Sequence, residues 1–161
     1  MTLVELLVAL IIVVIIAAGI SRLLVSSWSS QRTVANQNAV QQEASAATDA
    51  IVDRLRGASG VQSGTAAELT AVFPGGSTER YYVVGRELRR DRFNAATGVT
   101  TVGEVISRIV ESLRLEYVRR EGNALVSATP GTAESVTVSV GVGLEGYRAT
   151  ETSVVKLRNK Y

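Results

Sequence analysis

The chain divides by pattern before any residue is weighed for chemistry. From Leu3 to Val25 apolar side chains fill nearly every position, and between Glu5 and Arg22 there is no charged residue. That run matches the roughly 20 residues a helix needs to cross hydrocarbon. As a helix it has no polar face, so it must lie in lipid or inside a protein mass, and a chain of 161 residues is too small to surround it. The surroundings it requires are a bilayer, other copies of the chain, or each in turn.

Beyond Val25 the composition turns polar while the helical signal persists. Ser26-Ser27-Trp28-Ser29-Ser30-Gln31-Arg32 and the glutamines and asparagines that follow contain no proline, and Val40, Ala44, Ala47, Ile51 and Leu55 fall at spacings of four, three, four and four. Those spacings draw one stripe on a helix, and Gly57 and Gly60 supply stop signals. The pattern predicts one helix from near residue 2 to about Arg56, roughly 80 Å at 1.5 Å per residue. It is apolar all round in its first half and amphipathic in its second. Gly19 is a soft point rather than a break, since Gly costs about 1 kcal/mol relative to Ala inside a helix. Trp28 suits either a lipid interface or a contact between subunits.

From Val61 short alternating runs separated by Gly, Ser and Thr predict strands. These are Leu69 to Phe73, closed by Pro74-Gly75-Gly76, then Tyr81 to Leu88, Leu113 to Tyr117, Ala124 to Ala128 entered through Glu121-Gly122-Asn123, Val136 to Val142, and Ser153 to Leu157. Asn94 to Thr101 reads as a loop, and Val102 to Ile109 as a short helix or irregular crossing. The expected fold class is α+β, a long N-terminal helix followed by a small antiparallel sheet. The expected divisions are a stalk over 1–25, an amphipathic continuation over 26–56 and a β-rich head over 57–161.

Composition then narrows the function. With 46% hydrophobic and 20% charged residues, a head of this size buries roughly two-thirds of its unfolded surface and folds without staples. The chain has neither Cys nor His, which removes disulfides, the usual transition-metal ligands and the usual nucleophile–base pairs. Glu104, Glu111 and Glu116 are too dispersed in sequence to argue an acid–base pair. No metal or cofactor is expected, and the chain does not read as an enzyme.

The block Thr2-Leu3-Val4-Glu5-Leu6-Leu7-Val8-Ala9-Leu10 closely resembles the start of mature type IV pilins and type II secretion pseudopilins. A secretory signal peptide fits badly, because it opens on a basic region and closes on a small-residue cleavage site, whereas here no Lys or Arg precedes the run. The resemblance implies that prepilin peptidase removes a leader just before Met1 and that the new amine is methylated. That residue is usually Phe in the family, and Met1 departs from the pattern. It further implies a single-pass precursor in the inner membrane, built by the assembly machinery into an extracellular pilus with itself and other pilins as partners. The front of the helix would project as a stalk and its back half would pack on the head. Many pilins carry a proline about where this chain has Arg22; here there is only Gly19-Ile20-Ser21. Glu111 to Tyr117, the valine strand and Val155-Lys156-Leu157-Arg158-Asn159 are similar to PilW-like minor pilins and J-type pseudopilins. The implied function is first a structural filament subunit, and second a minor pilin or pseudopilin that primes or tips a pilus or secretion pseudopilus.

Glu5 has its own physical problem. An ionised carboxylate in hydrocarbon costs at least several kcal/mol unless it finds a partner or a path to water. The cation at hand is an N-terminal amine. Positions 1 and 5 share a helix face, so Glu5 can reach its own Met1 amine; the resemblance implies instead that it accepts the Met1 amine of a neighbour and so sets axial register.

A last candidate is the run Arg80, Arg86, Arg89, Arg90 and Arg92 with Tyr81, Tyr82 and Phe93. Basic residues interleaved with aromatics are what single-stranded nucleic acid binding uses, which keeps a membrane-anchored DNA-binding domain as an alternative of another class. Glu79, Glu87 and Asp91 lower the local charge, and a net charge of +2 gives no strong field. Strand alternation sends Arg86 and Arg90 to one face and Arg89 to the other. Arg90 and Arg92 share a face, with Asp91 between them open to a neighbour's Arg. Nucleic acid is therefore not the expected partner, and a solvated face or subunit contact is expected.

Overall fold

The computed structural model describes residues 3–157, apart from the side chain of Glu5. One helix, α1 (Leu3–Arg56), spans 54 residues without interruption at Gly19. The chain separates into two compact units, one ending at Asn36 and the other starting at Gln37.

In the first unit every described residue from Leu3 to Arg32 is exposed. Three of its hydroxyls bond back into the helix: Ser21 Oγ donates to the Ala17 carbonyl at 2.9 Å, Ser29 to Ser26 at 2.9 Å and Thr33 to Ser29 at 3.1 Å. A hydroxyl bonded back into its own helix carries little desolvation cost into an apolar medium.

In the second unit the helical stripe is buried as its spacing predicts, with Val40, Ala44, Ala47, Ile51 and Leu55 all in the core. Thr48 and Val52 join them and widen the buried face. The amides of Gly57 and Ala58 still bond to Arg54 and Leu55 carbonyls, so α1 closes in a tight turn.

Nine strands follow: β1 (Gly60–Gly64), β2 (Glu68–Val72), β3 (Thr78–Val84), β4 (Glu87–Asn94), β5 (Val99–Ser107), β6 (Val110–Glu121), β7 (Ala124–Ser127), β8 (Ser135–Leu144) and β9 (Tyr147–Lys156). A short 3₁₀ turn, Pro130–Thr132, joins β7 to β8. The strands form two antiparallel sheets rather than one, a meander β1-β2-β3-β4-β5 and a second sheet β7-β6-β8-β9. One hydrophobic core joins the back half of α1 to inward residues of both sheets, among them Leu69, Tyr81 and Leu88 from the first and Val136, Val138, Val140 and Val142 from the second. The fold class is α+β.

Three expectations change. The predicted strand Tyr81 to Leu88 is a hairpin: Val84 pairs with Glu87 across Gly85-Arg86, and Gly85 at φ +64 supplies the left-handed conformation of the first loop residue, as in a type II′ turn. The predicted loop and crossing from Asn94 to Ile109 are the end of β4, a short turn and the whole of β5. The last strand begins at Tyr147, not Ser153, because Glu145 and Gly146, both at positive φ, turn β8 straight into β9.

Backbone bonds tie the sheets together. Leu115 N–H donates to the Ala66 carbonyl and Val110 N–H to the Arg86 carbonyl, both at 2.9 Å. The Tyr117 hydroxyl reaches the Thr65 and Glu68 carbonyls at 3.2 and 3.3 Å. A Cβ on Gly64 would collide with that phenol, so the close approach needs glycine there.

Candidate assembly surface

The first candidate surface is the front of α1. Leu6 to Ile16, Ile20 and Leu23 to Val25 present large apolar side chains all around the helix, with Ile15 at 65% and Leu23 at 72% exposure. A stretch within the helix reaches a mean hydropathy of 2.8 with none of it buried. It is long and apolar enough to cross a membrane. Trp28, 63% exposed, lies just beyond. Space around Gly19 is open, with nothing within 4 Å of where a Cβ would be. Glu5 lies on the first turns of this helix; Met1, its expected partner, lies outside the described residues.

The second candidate is the arginine segment, whose members are engaged inside the head. Arg90 and Arg92 do share a face, and it is the inner one, where Glu79 is 4% exposed. Arg92 Nε donates to Glu79 Oε1 at 3.1 Å, the Tyr81 hydroxyl donates to Oε2 at 2.6 Å, and guanidinium nitrogens of Arg90 and of Arg54 from α1 stand 3.8 and 3.7 Å away. Arg90 also makes a bidentate pair with Glu104, at 2.8 Å to each oxygen. Arg90 holds the Glu104 carboxyl below its ordinary range, chiefly by that hydrogen bond. Burial, then the bond to Glu79, pushes the Tyr81 phenol well above its ordinary value.

The other arginines are distributed elsewhere. Arg89 faces outward and is held by Glu87 at 2.6 and 2.9 Å. Arg80, also outward, pairs with Glu68 at 2.8 and 2.9 Å and sits 4.9 Å over the Tyr82 ring. Arg86 leaves the strands altogether: from the β3–β4 turn its guanidinium bonds the Gly143 carbonyl of β8 and stands 3.8 Å from Glu111. Glu111 is in turn 3.0 Å from Arg148. Asp91, expected to meet a neighbour's Arg, accepts from the Tyr82 hydroxyl at 3.0 Å and the Gly103 amide at 2.7 Å within its own chain. The segment is thus two faces and a pin between sheets, not a track.

What sequence reasoning missed is the knot around Glu79. A carboxylate two residues before Tyr81 on the inward face of β3 carries a signal, but its three arginines come from α1 and β4, and only the strand register brings them together. Among the described residues no cluster of acids suits a metal ion.

No protein-family model, no curated protein and no solved structure matches this chain. A long apolar N-terminal helix ahead of antiparallel sheets is compatible with a pilin-like fold.

Proposed function

We propose that the chain is a structural subunit of a type IV pilus-like extracellular filament. Copies wait in the inner membrane as single-pass proteins and are then assembled through the front of α1, with Glu5 of one accepting the Met1 amine of the next. The observation that carries this reading is the helix itself, apolar on every side from Leu6 to Ile20 and exposed throughout. A bare cylinder of that kind needs lipid or its own copies around it, and the Thr2 to Leu10 block resembles pilins at the same place. The carboxylate at Glu5 supplies direction: in an apolar core it is costly alone and stable when paired with an amine.

The test is Glu5→Gln in the full chain, expressed in cells that make the filament. It removes the charge while leaving the head alone. The chain should still accumulate in the membrane with a protease-resistant head, and its recovery in sheared fibres should fall by at least tenfold, the equivalent of about 1.4 kcal/mol per subunit added. Wild-type recovery would refute the pairing.

A further inference from the structure

The front of α1 carries charge of one sign. Between Glu5 and Glu43 the charged residues are Arg22 and Arg32, with no acid among them. Neither guanidinium, nor the Trp28 indole that lies between them, has a hydrogen-bond or ion-pair partner among the described residues. The three are not scattered around the helix. Arg22, Val25, Ser29 and Arg32 follow at spacings of three, four and three, which puts them on one face. Trp28 lies on it too, three residues after Val25 and four before Arg32. Val25, Trp28, Ser29, Gln31, Arg32 and Ala35 line an open hollow there. Its walls are apolar at Val25, Trp28 and Ala35, and Arg32 and Gln31 bring hydrogen-bond donors to it.

Length sets the level of this face in a bilayer. Leu3 to Val25 spans about 34 Å at 1.5 Å per residue, against about 30 Å of hydrocarbon. With the apolar run filling the hydrocarbon, Arg22 lies less than a turn inside its edge and Arg32 about two turns outside. Both guanidiniums then reach the headgroup layer, the first by extending outward and the second because helical side chains lean toward the N-terminus. Trp28, 63% exposed, takes the interfacial level that its amphipathic ring favours. The counter-charge does not come from this helix, since Glu5 is about 25 Å away along the axis. Nor does it come from copies at the same depth, which set arginine beside arginine. We propose that this face of the membrane-resident chain seats the headgroup of an anionic phospholipid, its phosphate oxygens between Arg22 and Arg32 and its glycerol backbone against Trp28. A zwitterionic lipid carries an ammonium that offsets its phosphate, so two unopposed cations select a lipid of net negative charge. The inference rests on the membrane stage of the filament reading above.

Trp28 is the chain's single tryptophan, which makes it a reporter of its own neighbours. The full chain, Arg22→Gln, Arg32→Gln and the double variant are reconstituted in mixed vesicles of phosphatidylcholine and phosphatidylglycerol. In parallel samples one lipid or the other carries brominated acyl chains, which quench tryptophan on contact. Gln is less costly than Arg near hydrocarbon, so the variants insert at least as well, and insertion is scored separately by flotation after an alkaline wash. Wild type should be quenched as though phosphatidylglycerol were enriched around Trp28 by roughly tenfold or more. Each single variant should lose about fivefold of that enrichment, and the double variant should show none. Equal quenching by the two lipids in wild type, or enrichment that survives in the double variant, overturns the seat. So does enrichment abolished by inorganic phosphate at constant ionic strength, which would mean a site for free anions. An inserted helix whose Trp28 is quenched by neither lipid would give the face to a second copy and overturn it as well. A chain that stays out of the vesicles refutes the membrane stage itself, whereas insertion without enrichment refutes the seat and keeps that stage.

Discussion

The two units of this chain meet the same requirement in opposite ways. From Gln37 onward the head buries Tyr81, Leu88 and four valines of β8 against its own helix and neutralises the buried carboxylate of Glu79 with its own arginines. From Leu3 to Arg32 the helix buries nothing, although it is the more hydrophobic of the two. Beyond its first turn its backbone hydrogen bonds close within the helix, so the ladder needs no core to complete it. The head supplies its own burial, and the front of α1 leaves its apolar surface uncovered. Changing the solvent should therefore act on the stalk, and changing a side-chain partner should act on the head.

The largest effect that sharpens this contrast is on the proposed filament as a whole. Each large side chain removed from water contributes about 1.5 to 3 kcal/mol, and more than a dozen lie bare on the front of α1. Fibres should survive dilution and molar salt and come apart in detergent, with the released heads still folded by circular dichroism. Dissociation by salt alone would place the holding force in surface charges and break the comparison.

Next is Glu79→Ala, which concerns the head alone. Arg90 keeps its pair with Glu104, so the main loss is the acceptor of the buried Tyr81 hydroxyl, and leaving such a donor unsatisfied costs about 1 to 3 kcal/mol. Arg90, only 13% exposed at its side chain, would lose the more distant Glu79 carboxylate as well. Denaturant unfolding of the full chain in detergent should show the loss, while Val13→Ala, on the bare helix, should leave the same transition in place. A Glu79→Ala head as stable as wild type would mean that the knot is solvated.

The difference between the units also explains what could be read in advance. The stripe Val40, Ala44, Ala47, Ile51 and Leu55 is legible because a helix writes its buried face into local spacing. The hairpin at Gly85-Arg86 is not: Val83-Val84 and Glu87-Leu88 both look like strand, and a single glycine is the whole turn signal. β5 escapes because an exposed edge need not alternate, and Val99-Thr100-Thr101-Val102 shows no inward face. The Glu79 knot is hidden for a third reason. Arg54 and Glu79 lie 25 positions apart, and nothing local couples the end of α1 to β3. Glu5 is the converse case, conspicuous in sequence as one acid in an apolar block.

A smaller head effect is expected at Tyr117, between the sheets. Its hydroxyl bonds two backbone carbonyls, and losing one such bond costs about 1 kcal/mol, so Tyr117→Phe should lower unfolding stability by about that amount. Burial, then the nearby Glu68 charge, pushes its pKa up to about 12, against about 10 in the unfolded chain. The folded state thus binds the proton more tightly, so this contribution is fully present below pH 10 and is lost as pH rises from 10 to 12. Wild type should weaken across that window, and Tyr117→Phe should weaken less steeply, the remaining slope belonging chiefly to Tyr81. An unchanged slope in the variant would mean that the phenol is open to water.

The smallest expected effect is none at all, on nucleic acid. On the outer face of the first sheet Arg80 and Arg89 stand among Glu68, Glu87 and Asp91, two cations against three carboxylates. A phosphate approaching that face meets a net negative charge, and to bind Arg89 it must displace Glu87, exchanging one anion for another. The inner-face Arg90 and Arg92 are committed to Glu79 and Glu104, and Arg86 is committed to β8. Real contacts would weaken with a logarithmic salt slope near 0.7 for each single-strand phosphate neutralised. Single-stranded DNA should be retained by the full chain in vesicles no better than by a charge-matched control, with no salt slope, and Arg89→Gln should change neither retention nor stability by more than about 0.5 kcal/mol. Micromolar binding at physiological salt that Arg89→Gln abolishes, with the head still folded, would show that a phosphate backbone can displace Glu87 from Arg89 on the outer face.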